Sequence, residues 1–185
     1  MEKFTKLEKR KDVNNEAEQP IFQNNDIKVK KINDSVYLEE KDQIVCIPYL
    51  TEYNQVIFKQ EHNTVYESID GQELHISPLS TYLSDEYDMK WELMKLLETK
   101  VGLVVREKYP FEFENPLFES KNSTKRIFFS IVPLTETDYH QVLLQNKLTE
   151  TKLIKIDAKY LKNLYPSDIL TEMALDKVKK FLNIV

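Results

Sequence analysis

The chain has 185 residues, with 26 basic and 31 acidic side chains and a net charge of −5. That length suits one domain with a real core, and that charge argues against broad nucleic-acid binding. No run of about 18 apolar residues occurs, so no membrane-spanning helix is expected, and the stretch MEKFTKLEKRKDVNNEAEQPIFQNNDI lacks the roughly 7–15-residue apolar core of a signal peptide.

Residues 1–26 are polar, mixed in charge and without a clear period. They read as a flexible or partner-ordered N-terminal arm. Phe4, Leu7, Ile21 and Phe22 are its candidate anchors on a protein partner. One domain is expected over 27–185. IKVKKI, 27–32, alternates apolar and charged side chains, the period of a half-buried strand. SVYLEE, 35–40, suggests a second short strand. QIVCIPYL, 43–50, is rich in branched and aromatic residues and predicts a central strand. TEYN is a turn and QVIFKQEH, 55–62, the returning strand of a hairpin. VYESIDGQEL, 65–74, carries Asp70-Gly71, a tight-turn signal. HISPLSTYLS, 75–84, reads as a loop.

Ser84 is the candidate N-cap of a helix over 85–100. Met89, Leu93, Leu96 and Leu97 form an apolar stripe, and Trp91 and Met94 add a second apolar side, which predicts a helix covered on both. Gly102 follows, where a left-handed residue commonly ends a helix. Strands are expected at 103–113 and 126–134 with a loop at 114–125. A short helix is expected around YHQVLLQ, and a strand at 151–158. A helical turn ending at Pro166 comes next, then a last helix opened by Ser167 and Asp168. Leu170, Met173, Ala174, Val178, Phe181 and Leu182 give that helix its buried face. The order predicts a mixed α/β (α+β) domain with helices on either side of a sheet.

The order of elements over residues 27–182 resembles the Nudix hydrolase superfamily, an α/β/α sandwich around a mixed sheet. The hairpin QIVCIPYLTEYNQVIFKQEH looks like the paired strands that open that domain. VYESIDGQEL looks like the Glu-x-Pro-(Gly/Ala)-Gly segment of nucleotide-sugar members. WELMKLLETKVGLVV, 91–105, sits where the catalytic helix and following strand would be. The family motif is Gly-x5-Glu-x7-Arg-Glu-U-x-Glu-Glu-x-Gly-U, with U apolar. Its glutamates hold magnesium or manganese, which polarises a diphosphate and activates water.

Anchored on Gly102-Leu103 without gaps, the apolar positions are Leu97 and Leu103. The arginine is Lys95, the first ligand glutamate is Leu96, and the Glu-Glu pair is Thr99-Lys100. The upstream glutamate falls on Tyr87 and the upstream glycine on Thr81. The resemblance therefore implies a degenerate Nudix box in which the packing code stays and the metal code is gone. Leucine offers no oxygen to a hard dication, and Lys100 repels one.

A relocated site has candidates. Asp85, Asp88 and Glu92 share a helical face at i, i+3 and i+7, with Glu86 and Glu98 nearby. Magnesium or manganese would be the cofactor of such a site, with Glu92 and Glu98 as candidate catalytic residues. The plainer reading is a solvated face with acids favouring the helix dipole. Glu67 and Glu73 beside Asp70-Gly71 read first as surface acids.

His62, His75 and His140 with the single Cys46 make no zinc pattern. His140 with Ser130 or Asp138 suggests acid–base chemistry only by nearness in sequence. Cys46 reads as a small core residue. Tyr109, Phe111, Phe113 and Phe118 suggest a core and hairpin edge before a base-stacking wall. Lys121, Lys125 and Arg126 make a basic spot too small to indicate nucleic acid. A lone cysteine fits a reducing compartment. A Lys- and Asn-rich, Gly-poor composition often accompanies AT-rich genomes, so an intracellular setting or a virus particle is expected.

Three readings follow. The first is a Nudix-like pseudoenzyme with no cofactor, acting as a binding or structural part of an assembly. The second is a divergent pyrophosphohydrolase acting on nucleoside diphosphate-linked substrates. The third is a regulatory domain that binds a nucleotide without hydrolysing it.

Overall fold

In QIVCIPYL five of the eight side chains are branched or aromatic, and the segment forms a strand buried at seven of its eight positions. The computed structural model describes residues 18–23, 27–32, 35–62, 74–84, 88–104, 111–118, 120, 123–135, 137–138, 152–166 and 168–184. In chain order these give β1 (Glu18–Gln23), β2 (Ile27–Ile32), β3 (Ser35–Glu40), β4 (Gln43–Leu50), β5 (Gln55–His62), β6 (Leu74–Ser77) and β7 (Leu79–Tyr82). Next come α1 (Met89–Leu96), a π-helical turn (Leu97–Val101), β8 (Leu117–Phe118), β9 (Arg126–Leu134) and β10 (Lys152–Asp157). A 3-10 helix (Ala158–Asn163) and α2 (Ile169–Phe181) close the chain.

The main sheet has seven strands, in the order β10-β5-β4-β9-β8, with β6 paired to β5 and β7 to β4. β4 and β9 run parallel from Gln43↔Ile127 to Leu50↔Leu134, so β4 lies deep in the sheet and needs apolar residues on both faces. The two faces follow the strand period of two. Ile44, Cys46, Ile57, Leu79, Phe128 and Val132 point to one side, where Leu93, Leu96, Leu97 and Val101 cover them. Val45, Ile47, Val56, Phe58, Ile127 and Phe129 point to the other, against Ala158, Leu161, Ala174, Leu175 and Val178. Each fully buried side chain of this size contributes about 2 kcal/mol of transfer free energy. The result is a helix–sheet–helix sandwich.

β4 and β5 form the expected hairpin, with Asn54 at φ 51 in the turn, but they pair only at Tyr49↔Val56 and Leu50↔Gln55. Beyond that they part. β6 lines β5 from Lys59 to His62, and β7 lines β4 from Gln43 to Cys46. Pro78 separates the two; without an N–H it cannot carry one ladder onward. The loop expected over 75–84 is therefore a pair of short strands filling the gap.

A second, three-stranded antiparallel sheet has the order β1-β2-β3. It meets the main body through the segment before β9. Thr124 N–H donates to the Leu38 carbonyl (2.8 Å), Glu40 N–H to Thr124 Oγ1 (3.2 Å), and Ser123 Oγ to Glu40 Oε2 (2.9 Å).

Several expectations change. Part of the arm expected over 1–26 is β1, which pairs with β2; Ile21 and Phe22 lie within it, while Phe4 and Leu7 fall outside the described residues. The described parts of 103–113 carry no strand, and the expected loop at 114–125 contains β8. Trp91 is 55% exposed, so α1 is covered on one side and not two. Phe181 is 51% exposed and meets Tyr49 edge-on at 5.8 Å. Thr171 and Leu175 fill the α2 face instead. The turn at Asp70-Gly71 with Glu67 and Glu73, and the helix expected near His140, lie outside the described residues.

Candidate functional site

α1 is capped by Asp88 and not by Ser84. Asp88 has extended backbone and accepts from Lys90 N–H (2.8 Å) and Trp91 N–H (3.3 Å) through Oδ1, which satisfies two donors that the helix leaves unpaired. Ser84 Oγ instead donates to Glu92 Oε1 at 3.0 Å. The helix then widens. Thr99 Oγ1 donates to the Lys95 carbonyl (2.7 Å), the acceptor an α-helix would offer to the Thr99 amide. Such a hydroxyl bond back along the helix bends or loosens it, and the π turn follows. Gly102 ends it at φ 74, ψ 20. Its N–H reaches the Glu98 carbonyl (3.1 Å), and Leu103 N–H reaches Leu97 (3.2 Å).

The residues read as a relocated acidic site take separate posts. Asp88 serves the cap. Glu92 is 7% exposed and turned to Ser84. Glu98 is exposed on the π turn. Asp85 lies outside the described residues. Among the described residues no three His, Cys, Asp or Glu side chains gather as a metal would require. Of the motif positions, Leu96 is 3% exposed in the apolar cluster, while Lys95, Thr99 and Lys100 are exposed. Ammonium, hydroxyl and methyl groups are poor donors for magnesium or manganese, so these residues do not fit the ion.

A polar group missed in the sequence lies where β4 and β5 part. Lys59, Glu61, His75 and Ser77 share the sheet face that α1 covers elsewhere. Ser77 Oγ donates to Glu61 Oε1 (2.7 Å) and Lys59 Nζ to Glu61 Oε2 (2.6 Å). His75 sits opposite Glu61 in the ladder and is buried. Burial pushes the Glu61 carboxyl up, but the bonds from Lys59 and Ser77 and the charges of Lys59 and His75 bring it below its ordinary value. Both oxygens are committed, so the group reads as a satisfied polar node. Its signal was the charged pair at 59 and 61, on the strand face that also carries Ile57. Without strands at 75–82 nothing paired with them.

The remaining candidates are placed as follows. Burial pushes the Cys46 thiol far up, which keeps it protonated and unreactive. Ser130 is buried beside it in the ladder with its Oγ unpaired. Asp138 accepts from Thr135 N–H (2.9 Å) and Oγ1 (2.7 Å), and His140 lies outside the described residues. Phe111 and Phe113 pack against the α1-side core, as core residues. Lys125 and Arg126 do not form an exposed basic spot: Lys125 is buried, with Nζ 5.3 Å from the centre of the Tyr82 ring. Arg126 forms a two-nitrogen ion pair with Asp42. Lys121 and Tyr109 lie outside the described residues.

No family model matches the sequence, and no curated protein matches it. Among solved structures, one titled "Crystal structure of ADP compounds hydrolase" is similar in fold, with a TM-score of 0.61, 10% identity, and coverage of 90% of this chain and 91% of that one. At that identity the likeness concerns the fold. The chain has a Nudix-like fold, an α/β/α sandwich around a mixed sheet. Among the described residues no helix is long and apolar enough to cross a membrane.

Proposed function

We propose that this chain is a Nudix-fold domain without metal-dependent hydrolysis, serving as a binding or structural component of a larger assembly, inside a cell or in a virus particle. The observation that carries the reading is the chemistry along α1 and its π turn. Counted back from Gly102, the metal positions are Leu96 and Thr99-Lys100. The π turn adds one residue to the last turn. Positions before it then shift by one, and Lys95 takes the place of Leu96. If the shift reaches the pair as well, it becomes Glu98-Thr99. At these three positions either register leaves at most one carboxylate, Glu98, although the shift also moves the upstream glutamate from Tyr87 to Glu86; a hard dication needs several anionic oxygens. Protein partners are assigned to the N-terminal arm, with Phe4, Leu7, Ile21 and Phe22 as anchors.

A second reading keeps the pyrophosphohydrolase activity. It is favoured by the near-complete overlap with a structure titled as a hydrolase of ADP compounds, and by Glu98, which stays exposed. Its ligands would come from Asp85, Asp88, Glu92 and Glu98. Titrating manganese into the folded protein, with water-proton relaxation as the readout, separates the two. The first reading expects no stoichiometric site. A single tight site that disappears in Glu92→Gln/Glu98→Gln supports the second.

A further inference from the structure

We propose that the small β1-β2-β3 sheet joins two copies of this chain, face to face through its apolar side, about a two-fold axis. This goes beyond the function proposed above and holds whether or not the metal chemistry is absent. Side chains alternate along a strand. The register Val29↔Leu38 and Lys31↔Val36 therefore places Ile27 and Val29 of β2 on one face with Val36 and Leu38 of β3, and β1 brings Phe22 opposite Val29 in the ladder. Leu38 is 36% and Val36 48% exposed. Among the described residues neither core cluster takes a side chain from β2 or β3. A sheet this small gains stability by covering its apolar side. The contacts to Ser123 and Thr124 run along the edge of β3 and do not supply that cover.

The charge pattern of that face selects a second copy as its occupant. Lys31 stands in the row of Val36 and Glu40 in the row of Ile27, with Val29 and Leu38 between them. A half-turn about an axis lying between the sheets and across the strands lays the basic end of each face over the acidic end of the other. The apolar rows then meet in the middle, which is the self-complementarity a two-fold interface needs. Lys31 is exposed and has no ion-pair partner among the described residues. Ser123 occupies Glu40 Oε2, so Oε1 is the oxygen offered to the lysine of the second copy. Strand addition at the outer edge of β1 is blunted by Pro20, which has no N–H, and by the register shift between Pro20 and Phe22. Three strands about 4.8 Å apart, with residues spaced by about 3.3 Å, give a face of roughly 300 Å². That is small for a specific interface, so the dimer should dissociate on dilution.

Sedimentation velocity of the full chain over a dilution series tests this. The expected result is a reversible shift between the 22.0 kDa chain and a species of twice that mass. Leu38→Lys, and separately Lys31→Glu, should weaken self-association at least tenfold with an unchanged circular dichroism spectrum. Raised salt should weaken it in the natural chain, because the end contacts are exposed charges. Lys31→Glu changes an exposed side chain, so it decides the matter if Leu38→Lys does not fold. The proposal is overturned if the natural chain stays monomeric throughout, which leaves the face to the N-terminal arm or to a different partner. It is also overturned if either folded variant associates as tightly as the natural chain, which places the contact elsewhere. Metal-dependent turnover removes the function proposed above and leaves this result untouched.

Discussion

Glu61 shows how neighbours set the charge of one side chain. Its partial burial favours the neutral acid, yet Lys59, Ser77 and His75 together favour the carboxylate, and its affinity for a proton falls below the ordinary level. A carboxyl depressed in the folded state adds stability that is complete above its unfolded value of about 4.5 and is lost as pH falls through the folded value. Glu61→Gln should therefore lower stability at pH 7, and the gap to the natural chain should close on acidification below 4.5. Urea denaturation at a series of pH values measures this. A gap that stays constant into the acid range would show that the Lys59 and Ser77 bonds do not depend on the charge. Of this node only the charged end of the strand 55–62, in the run KQEH, was legible at the outset. Its partners were not, because pairing across strands is a tertiary fact that local sequence does not carry.

Among the elements, strands with branched residues on both faces or strict alternation were legible: 27–32, 43–50, 55–62, 126–134 and 152–157 all form. β6 and β7 were hidden because Pro78 stands between them and His75, Ser77 and Ser80 interrupt their apolar residues, and turn chemistry outweighs strand propensity in a local reading. The helix end at Gly102 was legible from glycine alone. The π turn before it was not, since it depends on where the Thr99 hydroxyl bonds. Trp91 and Phe181 misled for a shared reason: an aromatic at helical spacing signals burial only when something stands opposite it. Gly102 supplies a direct check on the helix end. At φ 74 a Cβ meets the following carbonyl, so Gly102→Ala should destabilise the fold by about 1–2 kcal/mol. A denaturant midpoint equal to that of the natural chain would mean that this residue leaves the left-handed region at little cost.

For the whole molecule, the two sheets are joined by long-range polar contacts. Asp42, just beyond β3, pairs with Arg126 at the start of β9 and also accepts from the Arg126 N–H (2.8 Å). The Leu83 amide donates to the Asp42 carbonyl (2.8 Å). The small sheet, the central strands and the approach to α1 thus meet at one part-buried ion pair. Around it the chain has a Nudix-like α/β/α fold, and on the proposed reading Leu96, Thr99 and Lys100 stand where that family's motif has glutamates. A fold alone does not bring its usual chemistry, and the central claim is that this frame has no metal-dependent diphosphatase. The most direct test incubates the pure, folded protein with ADP-ribose, dinucleotides and nucleoside triphosphates, first with magnesium and then with manganese, and measures phosphate-containing products. The account predicts none above a protein-free blank. Metal-dependent turnover that is lost in Glu92→Gln/Glu98→Gln would contradict it and place a rebuilt carboxylate site on α1.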